Sequence, residues 1–279
     1  MSIKIFTMVK DEVDIIEYWI KYHGELFGYE NLYIVDNMST DGTYESIEFY
    51  KNYGVQLFRE EDYKQKGEIM TRLIKETDSY DIAFPIDIDE FIVYYNEDEN
   101  KINPSRSVKY LHNLIKTDLF HENTIFKANY ILTMIDDESG YGYKNAMIET
   151  QYGMYQDYKG HAKTFLNNKT WDGILDHGNH YPTENYIKSN LCLVHYHWRN
   201  KEQMIKKIEN NVSGLGHPIN NLDYLKSLSN NCPGSHHIKH MIDILENNFH
   251  VPNNKGSIES GSISLQPIID FVKDLNIIP

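Results

Sequence analysis

A chain of 279 residues, 41% hydrophobic and 24% charged, is long enough for one large soluble domain or a domain with an appendage. Its formal net charge of −14 excludes a nucleic-acid partner, since no basic stripe offsets it, and an anionic ligand entering so acidic a protein needs a local cation. No run approaches the roughly 20 apolar residues that cross a bilayer, and the opening MSIKIFTMVKDE lacks the apolar stretch of a signal peptide.

Ile3 to Val9 reads as a strand. Asp11 to Phe27 follows as an amphipathic helix, with Val13, Ile16, Ile20 and Phe27 roughly in line, Asp11 as its cap and Gly28 at its end. Asn31 to Val35 is a short strand running into the turn-rich Asp36-Asn37-Met38-Ser39-Thr40-Asp41-Gly42. A helix from Thr43 to Tyr53 is stopped by Gly54, and then come a strand at Val55 to Phe58, a helix at Glu68 to Thr77 and a strand at Ile82 to Ile86. This βαβαβαβ order predicts an α/β fold with a mostly parallel central sheet flanked by helices, and ligands at the carboxyl ends of its strands.

The second half is less regular. Val108 to Lys116 reads as a helix, Thr124 to Thr133 as a strand, and Ile135 to Gly160 as a Gly- and Tyr-rich mobile loop. Short strands are expected at His161 to Leu166, Gly173 to Leu175 and Leu191 to His197. Asn200-Lys201-Glu202-Gln203 is a capping box opening a helix, and Asn221 to Leu228 and Ile238 to Asn247 read as further helices. Residues 251–264 are Gly/Ser/Asn-rich and read as a linker before a short apolar tail. The expected division is a domain over 1–210 and a mainly helical C-terminal extension over 211–279, packed on it.

The strand ending in Phe84-Pro85-Ile86-Asp87-Ile88-Asp89-Glu90-Phe91 carries the strongest chemical signal. On a strand, Asp87 and Asp89 point to the same side, and two carboxylates repel unless a cation sits between them. That predicts a divalent metal held beside a phosphate, against the blander reading of a solvated strand end. His195 and His197 close the apolar run Leu191-Cys192-Leu193-Val194. They read either as core histidines or, with His195 favoured, as a further ligand for Mn²⁺ or Mg²⁺. Asp36 to Asp41 caps the next helix through Asp41 and places Asp36 where a base or ribose would be bound.

Lys66, Arg72 and Lys163 are candidate phosphate contacts, though single basic residues are usually just solvated. His236, His237 and His240 lack a supporting ligand pair and read as a solvated helix face. No phosphate-binding GxxxxGK[ST] loop and no G-x-S-x-G elbow occurs. Two cysteines, Cys192 in an apolar run and Cys232, are too few for a disulfide framework. The expected compartment is the cytoplasm, that of a host if the Asn-, Ile-, Lys- and Tyr-rich composition reflects a viral genome.

Met8-Val9-Lys10-Asp11-Glu12, Glu17 to His23, Val35-Asp36-Asn37-Met38-Ser39-Thr40-Asp41-Gly42-Thr43, Ile86 to Phe91 and Val194-His195-Tyr196-His197 stand in an order and spacing that resemble one group. Over roughly residues 1 to 210 the chain resembles GT-A glycosyltransferases, close to family 2 and family 92-like enzymes. The resemblance implies a Rossmann-like GT-A sheet and transfer of a sugar, with inversion, from a nucleoside diphosphate sugar to an acceptor hydroxyl, on a glycan or another acceptor. It implies donor contacts from Thr7, Val9, Glu12, Asp36, Asn37, Arg72, Asp87, Ile88 and Lys163, and a Mn²⁺ or Mg²⁺ ion held by Asp87, Asp89 and His195. UDP is the default nucleotide.

The family's E-D pair that carries the base has no clean match here. Asp172 and Asp176, in Trp171-Asp172-Gly173-Ile174-Leu175-Asp176, are the candidates, with Asp136 and Asp137 behind them. That gap keeps a catalytically silent sugar-nucleotide-binding module open as an alternative. A sugar-1-phosphate nucleotidyltransferase is a weaker one, because no Gly-rich basic loop follows the first strand.

Overall fold

The computed structural model describes residues 2–157, 163–167, 170–180, 185–228, 234–254 and 261–275. The first half alternates as its apolar runs require: β1 (Ile3–Val9), α1 (Ile16–Phe27), β2 (Leu32–Asp36), α2 (Thr43–Tyr50), β3 (Gln56–Arg59), α3 (Lys66–Glu76) and β4 (Ile82–Pro85). Next come β5 (Glu90–Asn96), β6 (Lys101–Asn103), α4 (Pro104–Leu114), α5 (Asp118–Glu122), β7 (Ile125–Met134), α6 (Ala146–Glu149), β8 (Tyr152–Gln156) and β9 (Thr164–Asn167). The last elements are β10 (Ile187–His195), α7 (Lys201–Gly214), α8 (Leu222–Ser227), α9 (Ser235–Leu245), β11 (Ile263–Ser264) and α10 (Gln266–Asp274).

Among the described residues these strands form one mixed sheet in the order β3-β2-β1-β4-β9-β7-β10-β5-β6, with β8 beside β7 and β11 beside β8. The pairs β1/β2, β1/β4 and β2/β3 are parallel, as the crossover helices demand, and β7/β10 is parallel as well. The carboxyl ends of β1, β2 and β4 therefore share one edge. Asn37 N–H donates to the Val9 carbonyl at 2.8 Å, and Ile86 N–H to Phe6 at 3.0 Å, which ties the strand-end loops together there.

Helices cover both faces. Trp19 and Tyr22 of α1 are fully buried against β5, with Leu111 of α4 and Ile268 and Val272 of α10 in the same core. Met70 and Ile74 of α3 pack on the opposite face over Phe6, Ala83 and Leu166. A third, smaller core joins Met204, Ile208 and Val212 of α7 to Leu225 of α8 and Ile238 and Met241 of α9. The join between α7 and the strand-end loops is polar: Gln203 Nε2 donates to the Asp11 carbonyl at 2.7 Å, Asn210 Nδ2 to the Asp11 carboxylate at 3.1 Å, and Tyr63 OH to Asn211 at 2.9 Å.

Several local expectations need correction. Helix α1 begins at Ile16, not Asp11. Asp11 has φ 52°, and its carboxylate accepts from Thr40 N–H at 2.7 Å, so it fastens two loops rather than capping a helix. The span from Ile135 contains α6 and β8, because Tyr152 to Gln156 pairs with β7. Gly173 to Leu175 forms no strand. Its backbone instead docks on α3, Leu175 N–H donating to Thr71 Oγ1 at 2.9 Å. The end of the expected linker is strand β11, Ile263 pairing opposite Gly153, and the apolar tail carries α10. Cys232, His161 and residues 255–260 of the expected linker lie outside the described residues.

His23 is fully buried between Trp19, Tyr22, Phe27 and Phe91. Its Nδ1 lies 3.0 Å from the Trp19 carbonyl and its Nε2 3.4 Å from Ile92 N–H, so the neutral Nδ1–H tautomer satisfies both contacts and the cation cannot. Burial lowers its pKa from 6.5 to about 3. The unfolded chain thus binds a proton below 6.5 that the native state refuses, and stability falls as pH drops from 6.5 toward 3. Urea unfolding should show this as an extra slope of about 1.4 kcal/mol per pH unit in the native protein relative to His23→Phe. Asp14, whose pKa burial raises to about 6, tilts stability the other way in the same range but does so in both proteins. Parallel pH curves for the two would exclude the assignment.

Candidate functional site

A cleft of about 1110 Å³ opens at the carboxyl ends of β1, β2 and β4, lined there by Val9, Glu12, Asn37 and the turn from Asp87 to Glu90. The two aspartates do not owe their placement to strand alternation. Strand β4 ends at Pro85, and Glu90 N–H closes a turn onto the Asp87 carbonyl at 3.1 Å before β5 starts. Tyr196 N–H then binds the Asp89 carbonyl at 2.8 Å, setting the turn against the end of β10.

Each carboxylate is already met by cations. Asp87 accepts from Lys66 Nζ at 2.8 Å, Lys163 Nζ at 2.7 Å and Asn179 Nδ2 at 3.0 Å. Burial opposes its charge, but Lys163 and Lys66 outweigh it and hold the carboxyl well below the usual range. Asp89, 2% exposed, accepts from Lys207 Nζ of α7 at 2.5 Å and stands 3.3 Å from His195 Nε2. Here too burial is outweighed, by Lys207 and His195, and the carboxyl stays ionised. Glu12 is paired with Arg199 and lies 3.9 Å from Lys207. Glu90 accepts from Asp87 N–H at 2.8 Å, and burial raises its pKa.

Asp89, His195 and His197 bring ligand atoms within 4.8 Å of one another. One carboxylate oxygen and two imidazole nitrogens suit a divalent transition ion, so the donor set fits Mn²⁺. His197 is kept neutral by burial, with the Lys207 ammonium nearby, the form a ligand needs. Strand β10 aims His195, whose carbonyl accepts from Thr133 Oγ1 at 3.0 Å. Lys207 competes for the same Asp89 oxygens. Lys207→Met should therefore tighten Mn²⁺ binding by the protein alone, by about tenfold if ~1.4 kcal/mol of competition is removed. Titration followed by electron paramagnetic resonance of free Mn²⁺ measures this, and weaker binding in the variant would refute it.

A second groove of about 800 Å³ adjoins the first and shares Tyr130, His180, His195, His197 and His236 with it. Its remaining wall is Leu132, Thr133, Met134, Met154, Gln156, Trp198 and Asn254. The arrangement is a cation-rich pocket opening into a neutral, partly aromatic one.

No family model and no curated protein matches the chain. Among solved structures it is similar to S. aureus TarS 1-349, at 12% identity with a TM-score of 0.42, covering 89% of this chain and 71% of that one. The same protein in complex with UDP aligns at 13% identity and a TM-score of 0.40, covering 88% and 71%. Glucosyl-3-phosphoglycerate synthase from Mycobacterium tuberculosis, in complex with Mn²⁺, UDP and glucosyl-3-phosphoglycerate, aligns at 14% identity and a TM-score of 0.38, covering 90% and 81%. No helix among the described residues is long and apolar enough to cross a membrane.

Of the residues singled out in the sequence, Val9, Glu12, Asn37, Asp87, Ile88, Asp89, Asp176 and His195 line the cleft. Lys163, 1% exposed, reaches it from behind through Asp87. Thr7 is buried in β1 beneath it, and the buried Asp36 is held by Arg59 at 3.0 Å. Arg72 lies on the exposed side of α3, on Glu60, because the opposite side of that helix, at Lys66 and Gly67, faces the site. Asp172 is exposed, while its carbonyl accepts from Lys75. Asp137 gathers the N–H groups of Ser139, Tyr141 and Gly142, and Asp136 accepts from Tyr143 OH, both outside the cleft. His236 and His237 line the cleft, so that helix face is not merely solvated.

Lys207, Arg199, Asn179, His180 and Tyr130 escaped the sequence reading; for Lys207 there was a signal. The signal was a polar stripe on α7, where Gln203, Lys207, Asn210 and Gly214 recur at helical spacing beside the apolar Met204, Ile208 and Val212.

Proposed function

We propose that the chain is a metal-dependent GT-A-type glycosyltransferase, moving a sugar with inversion from a nucleoside diphosphate sugar, UDP-sugars first, to an acceptor hydroxyl on a glycan. One observation carries this reading. The Asp89–His195–His197 donor set opens into the same strand-end cleft as Lys66 and Lys207, with Lys163 behind Asp87. A divalent-ion set ringed by ammoniums in a protein of net charge −14 matches a diphosphate rather than a neutral ligand.

In this reading residues 1–210 are the transferase domain and 211–279 a helical extension packed on it. Val9, Glu12 and Asn37, with Thr7 and Asp36 behind them, form the nucleoside end, and Arg72 stands at its outer margin. Asp87 holds Lys66 and Lys163 in place so that their ammoniums face the phosphates, and the Ile88 backbone follows the donor. Mn²⁺ or Mg²⁺, when bound, supplies charge neutralisation for the leaving diphosphate. Lys207, released from Asp89, adds a second positive charge on the same side.

A thermal-shift panel of nucleoside diphosphates with and without Mn²⁺ tests the reading. UDP at about 100 times its dissociation constant should add ~2.7 kcal/mol, or roughly 5–10 °C, and only with the ion present. No stabilisation by UDP, GDP, ADP or TDP with Mn²⁺ would sink it.

A further inference from the structure

We propose that His180 is the general base that deprotonates the acceptor hydroxyl, with Asp176 as the carboxylate that orients it. The inference rests on the donor reading above and fills the role for which no carboxylate is suited.

Every carboxylate lining the cleft, among the described residues, is already committed. Glu12 is on Arg199, Asp87 on Lys66 and Lys163, Asp89 on Lys207 and His195, the fully buried Glu90 on the Asp87 amide, and Asp176 on the Gly178 and His180 amides and the His180 ring. The adjoining neutral groove, where a hydroxyl acceptor would lie, has no carboxylate on its described wall. Its ionisable bases there are four histidines and Tyr130. Tyr130 is excluded because burial and the nearby Glu90 raise its pKa well above 10, and a phenol still protonated accepts no proton. His195 and His197 belong to the metal set with Asp89. His236 packs on His237, ring centroids 3.9 Å apart, with no carboxylate in contact among the described residues.

His180 lines both cavities, as those residues do, but stands outside the metal set and, unlike His236, has a carboxylate beside its ring. Its Nδ1 lies 3.2 Å from Asp176 Oδ1 and 3.3 Å from Oδ2. Asp176 is itself fixed, accepting from Gly178 N–H at 2.8 Å and His180 N–H at 2.7 Å. It therefore works through the imidazole rather than on substrate directly. A carboxylate on Nδ1–H leaves Nε2 as the basic nitrogen, and imidazole is the side chain suited to proton transfer near neutral pH.

The loop is built to hold that ring. A Cβ on Gly178 would meet His180 Cε1 at 2.5 Å and Nδ1 at 2.6 Å, so only glycine lets the ring settle there. A Cβ on Gly67 would meet the Leu175 carbonyl at 2.5 Å, which shows how closely the loop is seated on α3. His177 Nε2, 3.1 Å from the Tyr63 carbonyl, pins the middle of the loop.

In the step itself the acceptor O–H proton passes to His180 Nε2. The oxygen lone pair forms the new bond to the anomeric carbon, and the bond from that carbon to the diphosphate oxygen breaks, its electron pair leaving with the diphosphate. The imidazolium, stabilised by Asp176, returns its proton to water. Asp176 takes up no proton.

The test uses the full chain, with Mn²⁺ and a panel of UDP-, GDP-, ADP- and TDP-sugars, following both UDP-type binding by calorimetry and sugar release to water or to a sugar acceptor. His180→Gln should lower kcat by about 10²-fold or more, with the dissociation constant of the matching nucleoside diphosphate within threefold of the native value. Asp176→Asn should show the same split of kcat from binding, and Gly178→Ala should follow by displacing the ring. Transfer by His180→Gln within threefold of native, in a protein that binds the nucleotide normally, would overturn the base assignment alone. A native protein that binds no nucleoside diphosphate with Mn²⁺ overturns the donor reading and the inference with it.

Discussion

Asp89→Ala is expected to abolish Mn²⁺-dependent nucleotide binding while leaving the protein folded. Losing a partner outside the ligand set already costs a metal site about 10–100-fold in affinity, and Asp89 supplies the only carboxylate among the three converging donors. The variant also frees Lys207, whose ammonium lies 2.5 Å from that carboxylate and 3.9 Å from Glu12, so Glu12 can take it up without unfolding. On the proposed reaction, loss of several kcal/mol of charge stabilisation corresponds to a fall of roughly 10³-fold in kcat. Asp89→Asn, which keeps the shape, should behave alike. Calorimetry with Mn²⁺ and UDP reads the effect, and native-like binding by both variants would show that the ion sits elsewhere.

Arg199→Met is expected to be the most destabilising of these changes. Arg199 is 1% exposed, and its guanidinium joins Glu12 and Asp14, the latter at 3.0 Å. Removing it takes the 3.0 Å cation from Asp14 and leaves Glu12 with Lys207 at 3.9 Å, which costs about 3–5 kcal/mol and lowers the melting temperature by roughly 10 °C. The cost should shrink as pH falls toward about 6, the value to which burial raises Asp14 in the native protein, and level off below it, because without Arg199 to lower it Asp14 takes up its proton at a higher pH in the variant. Calorimetric melting of both proteins at pH 5 and 8 measures it. Equal melting temperatures at pH 8 would mean that the pair contributes nothing.

The first four strands and three helices were legible because β1, β2 and β4 are buried on both faces and carry apolar runs, such as Ile82 to Phe84, and Gly28 and Gly54 stop the first two helices. Strand β5 was not, since Glu90 and Phe91 read as the end of a site rather than the start of a strand. Strands β8 and β11 have no local signature: Gly153 and Ile263 meet only through the tertiary fold. In the site, Asp87, Asp89 and His195 announced themselves by residue type. Asp176 was readable only as a carboxylate in the right interval, because its contact with His180 depends on a loop turned back over Gly178. The lysines beside the two aspartates, Lys66 of α3, Lys207 of α7 and Lys163 just before β9, come from three distant stretches, and nothing near the aspartates in the chain signalled them.

The join between α7 and the strand-end loops consists of amides, ion pairs and a phenol, while the apolar clusters lie elsewhere. Apolar burial is insensitive to screening by mobile ions, but contacts such as Lys206 to Asp41 at 3.5 Å, half-open to solvent, are not. Ionic strength therefore acts on the molecule unevenly. It leaves the sheet untouched and loosens the helix that carries Lys207, so the salt concentration sets how firmly one wall of the cleft is held against the other.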